Sequence, residues 1–373
     1  MAELRLVSGK SEFLNRKLPS GKIEQICLCE YNTDFSLACI CQVHGSLLRE
    51  VIENNGEYAS DENIQKYRKQ GMLDKRCRYC YARGTGRGNW GKVTRKEIGN
   101  ITRKEFEEKR PQIIRLGKTT ECGHPFYREI LMNFLKLCKE SNTRIIFPIK
   151  TLEFDENLAL MLRETGSVLN YSICNDSLEE GAVSQGYTNA WRIEQGRLYH
   201  EQDVNITLTL TCDVTQSIEE NEKRGFTIKN AINSRTEGIT VRLLPLRINS
   251  KKLCYEVTGK SWHEVVLPSA KQCSGTLDLF IREQEWRFAR RKNNEVYPLF
   301  FHRDFQKLVE EGIGVCGRVG NYEYCDKCNL SGNIRIKFPV AEIIPVEYTN
   351  KKPRTRIVRE RNKRIQRHVK QNQ

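Results

Sequence analysis

Five short apolar runs, each rich in β-branched residues, recur between about residues 110 and 250 with helix-length segments between them. They are Gln112–Gly117, Thr143–Ile149, Ser167–Ile173, Asn205–Thr211 and Ile239–Leu244. Runs of this kind suit buried parallel strands. Between them, Tyr127–Lys139 carries Ile130, Leu131, Phe134, Leu135 and Cys138 at helical spacing, and Glu156–Glu164 and Ser217–Glu237 also read as helices. Strand–helix alternation of this length predicts right-handed βαβ units. With one more strand nearer the N-terminal cysteines, it makes a six-stranded parallel barrel or open sheet. Functional loops are then expected after the C-terminal ends of the strands.

The rhythm stops near residue 250. Residues 251–349 carry aromatic-rich patches, a helix-like Phe301–Glu311 and a late group of cysteines, and read as a smaller α+β appendage. Residues 350–373 hold ten Lys/Arg against one Glu, a basic tail that supplies nine of the chain's net +15. The charge therefore speaks for anchoring on a polyanion, DNA or RNA, more than for a basic active site. No stretch approaches the ~18 apolar residues of a membrane helix. The N-terminus has no long apolar run of the signal-peptide kind. A soluble cytoplasmic protein with no membrane partner is expected.

In that compartment, 15 cysteines, an odd number and unevenly spread, point to metal or cluster ligation rather than a disulfide framework. Cys27, Cys29, Cys39, Cys41, Cys77 and Cys80 crowd the first quarter. In Cys77-Arg-Tyr-Cys80 the two-residue gap lets both sulfurs reach one metal. Cys316, Cys325 and Cys328 form a second group, able to hold zinc with His302 or Cys273 as a fourth ligand, or a further iron–sulfur cluster. The other cysteines read as small core residues.

Cys77-Arg-Tyr-Cys80-Tyr-Ala82, placed before a series of βα units, resembles the radical S-adenosylmethionine enzymes over roughly residues 30–250, and within them the branch that includes spore photoproduct lyase. The resemblance implies a partial (β/α)6 TIM-like barrel over residues 1–250 and a [4Fe-4S] cluster on three cysteines, one iron being left open for S-adenosylmethionine. Cys77 and Cys80 would be two ligands. The family's usual position for the first, four residues before Cys77, is Leu73 here, so Cys41, or alternatively Cys39, would be the third, with residues 42–76 as an insertion that includes a helix-like Asp61–Gln70.

The same resemblance assigns the cofactor's surroundings. Tyr79 would pack near the adenine. Gly117 and Glu121, in Arg115-Leu-Gly-Lys-Thr-Thr-Glu121, would line the methionine amino group, and Ser172 would approach the ribose or carboxylate. Arg192 would bind the carboxylate; Lys150-Thr151 and Leu244-Pro245 close two strands as in the family. Cys122 and Cys174, just past strand ends, would be candidate hydrogen-atom donors. The implied activity is reductive cleavage of S-adenosylmethionine to a 5′-deoxyadenosyl radical that abstracts hydrogen from substrate, with flavodoxin or ferredoxin as electron donor. The substrate would be a nucleic acid, in repair or modification, or else a peptide or small molecule. From a different class comes a non-catalytic nucleic-acid-binding protein with structural zinc.

Three other motifs bear on function. Gly86, Gly88 and Gly91 form a GxGxxG that follows Cys80 rather than a strand, and Val93 stands where a P-loop needs Ser or Thr after Lys92, so neither nucleotide motif is accepted. Trp286 and Phe288 among Arg282, Arg287, Arg290 and Arg291 suit either base stacking or an edge strand with a charged face. Of the six histidines only His124, two residues past Cys122, stands near the expected site.

Overall fold

The structure, a computed structural model, describes residues 7–8, 13–17, 23–27, 31–33, 103–117, 121–246, 248, 251–267, 287–290, 296–298, 300–315 and 336–337. In chain order the first elements are β1 (Val7–Ser8), β2 (Phe13–Lys17), β3 (Ile23–Cys27), β4 (Tyr31–Thr33), α1 (Arg103–Lys109) and β5 (Ile113–Leu116). Next come α2 (Arg128–Glu140), β6 (Arg144–Ile149), α3 (Glu156–Glu164), β7 (Val168–Ile173), α4 (Glu180–Val183), α5 (Asn189–His200) and β8 (Asn205–Cys212). Then follow α6 (Ile218–Lys223), α7 (Lys229–Asn233), β9 (Thr240–Pro245), α8 (Lys251–Thr258), α9 (Trp262–Val265) and β10 (Val266–Leu267). The last are β11 (Phe288–Arg290), β12 (Val296–Pro298), α10 (Arg303–Glu310), β13 (Gly314–Val315) and β14 (Ile336–Lys337).

The main sheet runs β1-β4-β5-β6-β7-β8-β9-β13. Strands β4 to β9 are parallel and lie side by side in sequence order; β13 adds a parallel strand on β9, and β1 is antiparallel to β4. The fold is α/β with an open sheet, not a closed barrel. β4 is the strand expected near the N-terminal cysteines, and the five expected runs are β5 to β9. When each strand is followed by its own neighbour through a right-handed crossover, all the helices fall on one face of the sheet.

The side chains follow that one-sided cover. Ile114 and Leu116, Ile145 to Ile149 in alternation, Leu169 to Ile173, Ile206 to Cys212, and Val241 and Leu243 join one hydrophobic core with Leu131, Phe134 and Leu135 of α2, Leu158 and Leu162 of α3, and Ile193 and Tyr199 of α5. Successive residues of a strand point to opposite faces, so Arg115, Pro148, Lys150, Asn170, Ser172, Thr209 and Arg242 lie on the other face. Buried parallel strands are usually apolar on both faces; these are not.

Helix boundaries have local causes. Asp155 caps α3 by accepting from Leu158 N at 2.8 Å, and Thr188 caps α5 by accepting from Trp191 N at 3.2 Å. The helix expected over Ser217–Glu237 is two short ones. Gly225, at φ 86°, ends the first turn of chain after α6, and the Glu222 carboxylate then accepts from Ile228 N and Lys229 N at 2.7 Å each to start α7.

Beyond residue 250 the chain does two things. β10, β11 and β12 form a separate three-stranded sheet, over a small core of Ile248, Cys254, Val265, Val266 and Phe288. The helix α10 and β13 instead join the main sheet, placing Phe305, Leu308, Val309, Ile313 and Val315 in the main core. β11 is the central strand of its sheet and Phe288 is fully buried, so this ring is core rather than a stacking platform and the strand is not an edge. A third small sheet has the order β14-β3-β2. All described residues fall in one compact unit, Met1–Lys337; residues 338–373, with the basic tail, lie outside the described residues. Among the described residues, no helix is long and apolar enough to cross a membrane.

Close packing of α5 on the sheet makes a test. A Cβ on Gly196 would sit 3.4 Å from Ile206 and 3.5 Å from Leu208. Alanine fits that space, whereas Gly196→Leu overfills it and is expected to cost about 1–3 kcal/mol in urea unfolding, with Gly196→Ala close to wild type.

Candidate active site

The C-terminal ends of β5, β6 and β7 bring together two carboxylates and two cations, all buried or nearly so. Glu121 follows β5, Lys150 ends β6, Glu179 lies in the loop after β7, and Arg192 is on α5. Glu179 is fully buried, with one carboxylate oxygen on Lys150 Nζ and the other on Arg192. Arg192 is also fully buried. Its guanidinium donates to the Ser172 carbonyl at 2.9 Å, to Asn189 Oδ1 at 3.2 Å and to the Tyr187 carbonyl at 2.8 Å. Thr188, by capping α5, fixes where Asn189 and Arg192 enter this cluster.

Glu121 is held differently. Its Oε1 accepts from Lys150 N at 3.0 Å and from Thr151 N at 3.4 Å, so the chain at the end of β6 grips one oxygen. No protein donor is bonded to Oε2 among the described residues. Gly123 packs behind it: a Cβ there would stand 3.2 Å from Glu121 Oε1 and 3.0 Å from Leu152 Cβ. Thr151 Oγ1 is fully buried, with no hydrogen-bond partner among the described residues.

Burial pushes the Glu121 carboxyl above its ordinary range, against the pull of the Lys150 amide and of the Lys150 and Arg192 charges. Burial pushes Glu179 up as well, and Arg192 opposes it. His124 sits beside the same cluster, edge-on to the Tyr187 ring at 6.0 Å between centroids, and Tyr187 in turn packs on Trp191 at 5.1 Å. Burial holds His124 down at about 4, against a hydrogen bond with Gln185 that favours the charged form.

The structure thus gathers Glu121, Ser172 and Arg192 at neighbouring strand ends. Gly117 closes β5 with φ 76°, a backbone that glycine adopts without strain. The Arg192 guanidinium, expected to meet a ligand carboxylate, is taken up by Glu179 and two backbone carbonyls. Ser172 contributes its carbonyl to that grip. Cys122 and Cys174 are fully buried members of the main core, and a hydrogen-donor role for either would need a route to the sulfur. Tyr79, Cys39, Cys41, Cys77 and Cys80 lie outside the described residues, as do Cys316, Cys325 and Cys328 and the glycine loop. Among the described residues, no group of three or more His, Cys, Asp or Glu is placed to hold a metal.

Three members of the site carry little signal in the sequence. Glu179, in a run of Leu-Glu-Glu, reads there as a solvated acid. Lys150 reads as a strand end. Gly123 carried no signal beyond its nearness to Glu121.

The chain matches no protein-family model and no curated protein sequence. Among solved structures it is similar to SuiB of Streptococcus suis, at 14% identity and TM-score 0.33 over 76% of this chain and 70% of that one. A structure of SuiB bound to precursor peptide SuiA gives 12% identity and TM-score 0.31 over 78% and 72%. Likeness of this degree says nothing of activity.

Two outcomes test the site's energetics. Glu179→Ala leaves Arg192 buried without its counter-charge and is expected to cost about 3–5 kcal/mol in urea unfolding. For His124 the folded pKa lies below the unfolded one, so its contribution is fully present above pH 6.5 and is lost as pH falls toward 4. Melting curves of wild type and His124→Gln are therefore expected to diverge on acidification, wild type losing about 3 kcal/mol relative to the variant at pH 4. Glu121 and Glu179, whose raised pKa values act in the opposite sense as pH rises above 4.5, are common to both proteins and cancel in that comparison.

Proposed function

We propose that the chain is a radical S-adenosylmethionine enzyme. The observation that carries this reading is Cys77-Arg-Tyr-Cys80-Tyr-Ala82 in a chain with six consecutive parallel strands, three of which end on a buried polar cluster. Cys77, Cys80 and Cys41 (or Cys39) would hold the [4Fe-4S] cluster, and Tyr79 would pack on the cofactor's adenine. The late cysteines, Cys316, Cys325 and Cys328, would hold zinc or a second cluster. Bound together, the first cluster and S-adenosylmethionine supply reductive cleavage of the sulfonium and a carbon radical able to take hydrogen from substrate.

The described residues fit the amino-acid end of S-adenosylmethionine at one point. Glu121 presents a carboxylate oxygen with no donor among the described residues, its other oxygen fixed by two backbone N–H groups, and so would accept an ammonium. The Thr151 hydroxyl, without a hydrogen-bond partner among the described residues, lies on the same turn. Gly117, after β5, and Ser172, near the end of β7, would stand beside the same end of the cofactor. Arg192 serves it from behind, holding Glu179, which in turn holds Lys150 at the strand end. Burial of this charged set excludes water from the place where a reactive radical would be made. The Leu244-Pro245 ending of β9 is the feature that leans toward the spore photoproduct lyase branch. A flavodoxin- or ferredoxin-like protein would supply the electron, and the basic tail would serve attachment to DNA or RNA.

Anaerobic reconstitution with iron and sulfide, then reduction and assay for 5′-deoxyadenosine, tests the reading. A brown protein that makes 5′-deoxyadenosine from S-adenosylmethionine, and loses it in Cys77→Ala, is expected. A colourless protein holding zinc alone, with no product, would make the chain a zinc-containing nucleic-acid-binding protein instead.

A further inference from the structure

The helix α8 has one face in the core and one in solvent. Leu253, Cys254, Val257 and Thr258 are buried, whereas Lys251, Lys252 and Tyr255 are exposed. Residues four apart share a helix face. Lys251, Tyr255 and Gly259, the last just past the helix end, therefore form one stripe, and Lys252 stands beside it, three residues before Tyr255. Tyr255 is 65% exposed, the most exposed large hydrophobic side chain among the described residues.

The far end of the stripe carries a further cation. Gly259 turns the chain out of α8 with φ 70°, and its N–H donates to the Tyr255 carbonyl at 2.8 Å. A Cβ at this position would stand 2.9 Å from both Nη1 and Nη2 of Arg224, the residue that ends α6. Glycine thus leaves room for a guanidinium to lie against the end of α8. Arg224 is half-buried, its Nε is buried with no hydrogen-bond partner, and its side chain makes no ion pair among the described residues. The negative end of the α8 dipole accounts for a cation there, but not for a guanidinium whose donors are left unused.

The neighbouring acids are committed elsewhere. Glu222 accepts from Ile228 N and Lys229 N at 2.7 Å each, and Glu219 and Glu220 pair with Lys223. Past α8, Glu264 closes a capping box with Ser261. Glu256, the one acid within α8, is half-buried and lies off the stripe. The stripe reads cation, aromatic, cation, with no carboxylate on it.

That order selects the partner. At 1.5 Å of rise per residue, positions four apart are about 6 Å apart along the helix axis, so cations flank the ring closely on both sides. An unpaired base can stack on the ring while the phosphates beside it meet the cations. An acidic peptide would use the cations and leave the ring idle, and a duplex, whose bases are already stacked, has no free base to offer it.

We propose that this stripe binds single-stranded nucleic acid, with Tyr255 stacking on a base and Lys251, Lys252 and Arg224 on the phosphates around it. The surface belongs to the folded part of the chain rather than to residues 350–373. It goes beyond the enzyme reading, needs no cluster, and stands or falls without it.

Fluorescence anisotropy of the full-length protein with labelled dT10 tests it, with a labelled Glu/Ser decapeptide in parallel. Tyr255→Ala is expected to weaken dT10 binding at least fivefold, and Tyr255→Phe, which keeps the ring, to bind as wild type does. Each phosphate contact on a single strand contributes about 0.7 to the slope of log K against log salt. A triple variant, Arg224→Met with Lys251→Ala and Lys252→Ala, is therefore expected to lower that slope by about 2 while the tail's share remains. Irradiation of a bound decamer carrying 5-iododeoxyuridine is expected to cross-link it to the peptide that contains Tyr255. Cross-links confined to residues 350–373, or affinity and slope unchanged in all the folded variants, would overturn the proposal. So would a loss of decapeptide binding rather than dT10 binding. A Tyr255→Ala protein that holds dT10 like wild type would overturn it too, leaving a patch of charge with no stacked base.

Discussion

Everything placed in this molecule depends on α2, α3 and α5 packing on one face of a parallel sheet. Because β4 to β9 lie in sequence order, each crossover returns on the same side, and α2, α3 and α5 fill that side with Leu, Phe and Tyr. The opposite face is relieved of the need to be apolar. Strand residues there can be Arg, Asn, Ser and Thr, and they are. A doubly wound sheet, with helices on both faces, would have required apolar side chains at Asn170, Thr207 and Thr209.

The second constraint is charge balance at the strand ends. A fully buried Arg192 is tolerable only with Glu179 against it, and Glu179 with Lys150 and Arg192 leaves a net positive point close to Glu121. Removing any one member exposes the others to an interior that disfavours ions. The arrangement is stiff: Glu121 is fixed by backbone N–H groups of β6's end, and Arg192 by carbonyls of β7 and of the turn before α5. Stiffness of this sort holds the Glu121 carboxylate in one orientation.

Much of this is legible in the sequence. The five apolar runs coincide with β5 to β9 to within a residue or two, and α3 spans the expected Glu156–Glu164. Strong β-branched runs and clean helical spacing leave few alternatives. α5 was missed because Gly196 and the buried polar residues Arg192 and Gln195 blur its apolar stripe; the capping Thr188 was its one local signal. Glu179 was missed for a related reason: a buried acid looks like a surface acid until the fold supplies its cations. Of the site residues taken from the family resemblance, Glu121 and Arg192 lie in one buried cluster, in which Glu179 holds the Arg192 guanidinium. Of the barrel or open sheet expected, the sheet is the open one, and the chain past residue 250 supplies β13 and α10 to the main core as well as a small sheet of its own.

The central claim is that the strand-end carboxylate and the cysteine motif serve one bound cofactor. Electron paramagnetic resonance of the reduced, reconstituted protein addresses both ends at once. The account predicts a [4Fe-4S]⁺ signal that changes shape when S-adenosylmethionine is added, and a Glu121→Gln protein that keeps the signal but needs at least tenfold more S-adenosylmethionine to change it. A signal indifferent to S-adenosylmethionine in the wild-type protein, or no cluster signal at all, would contradict it.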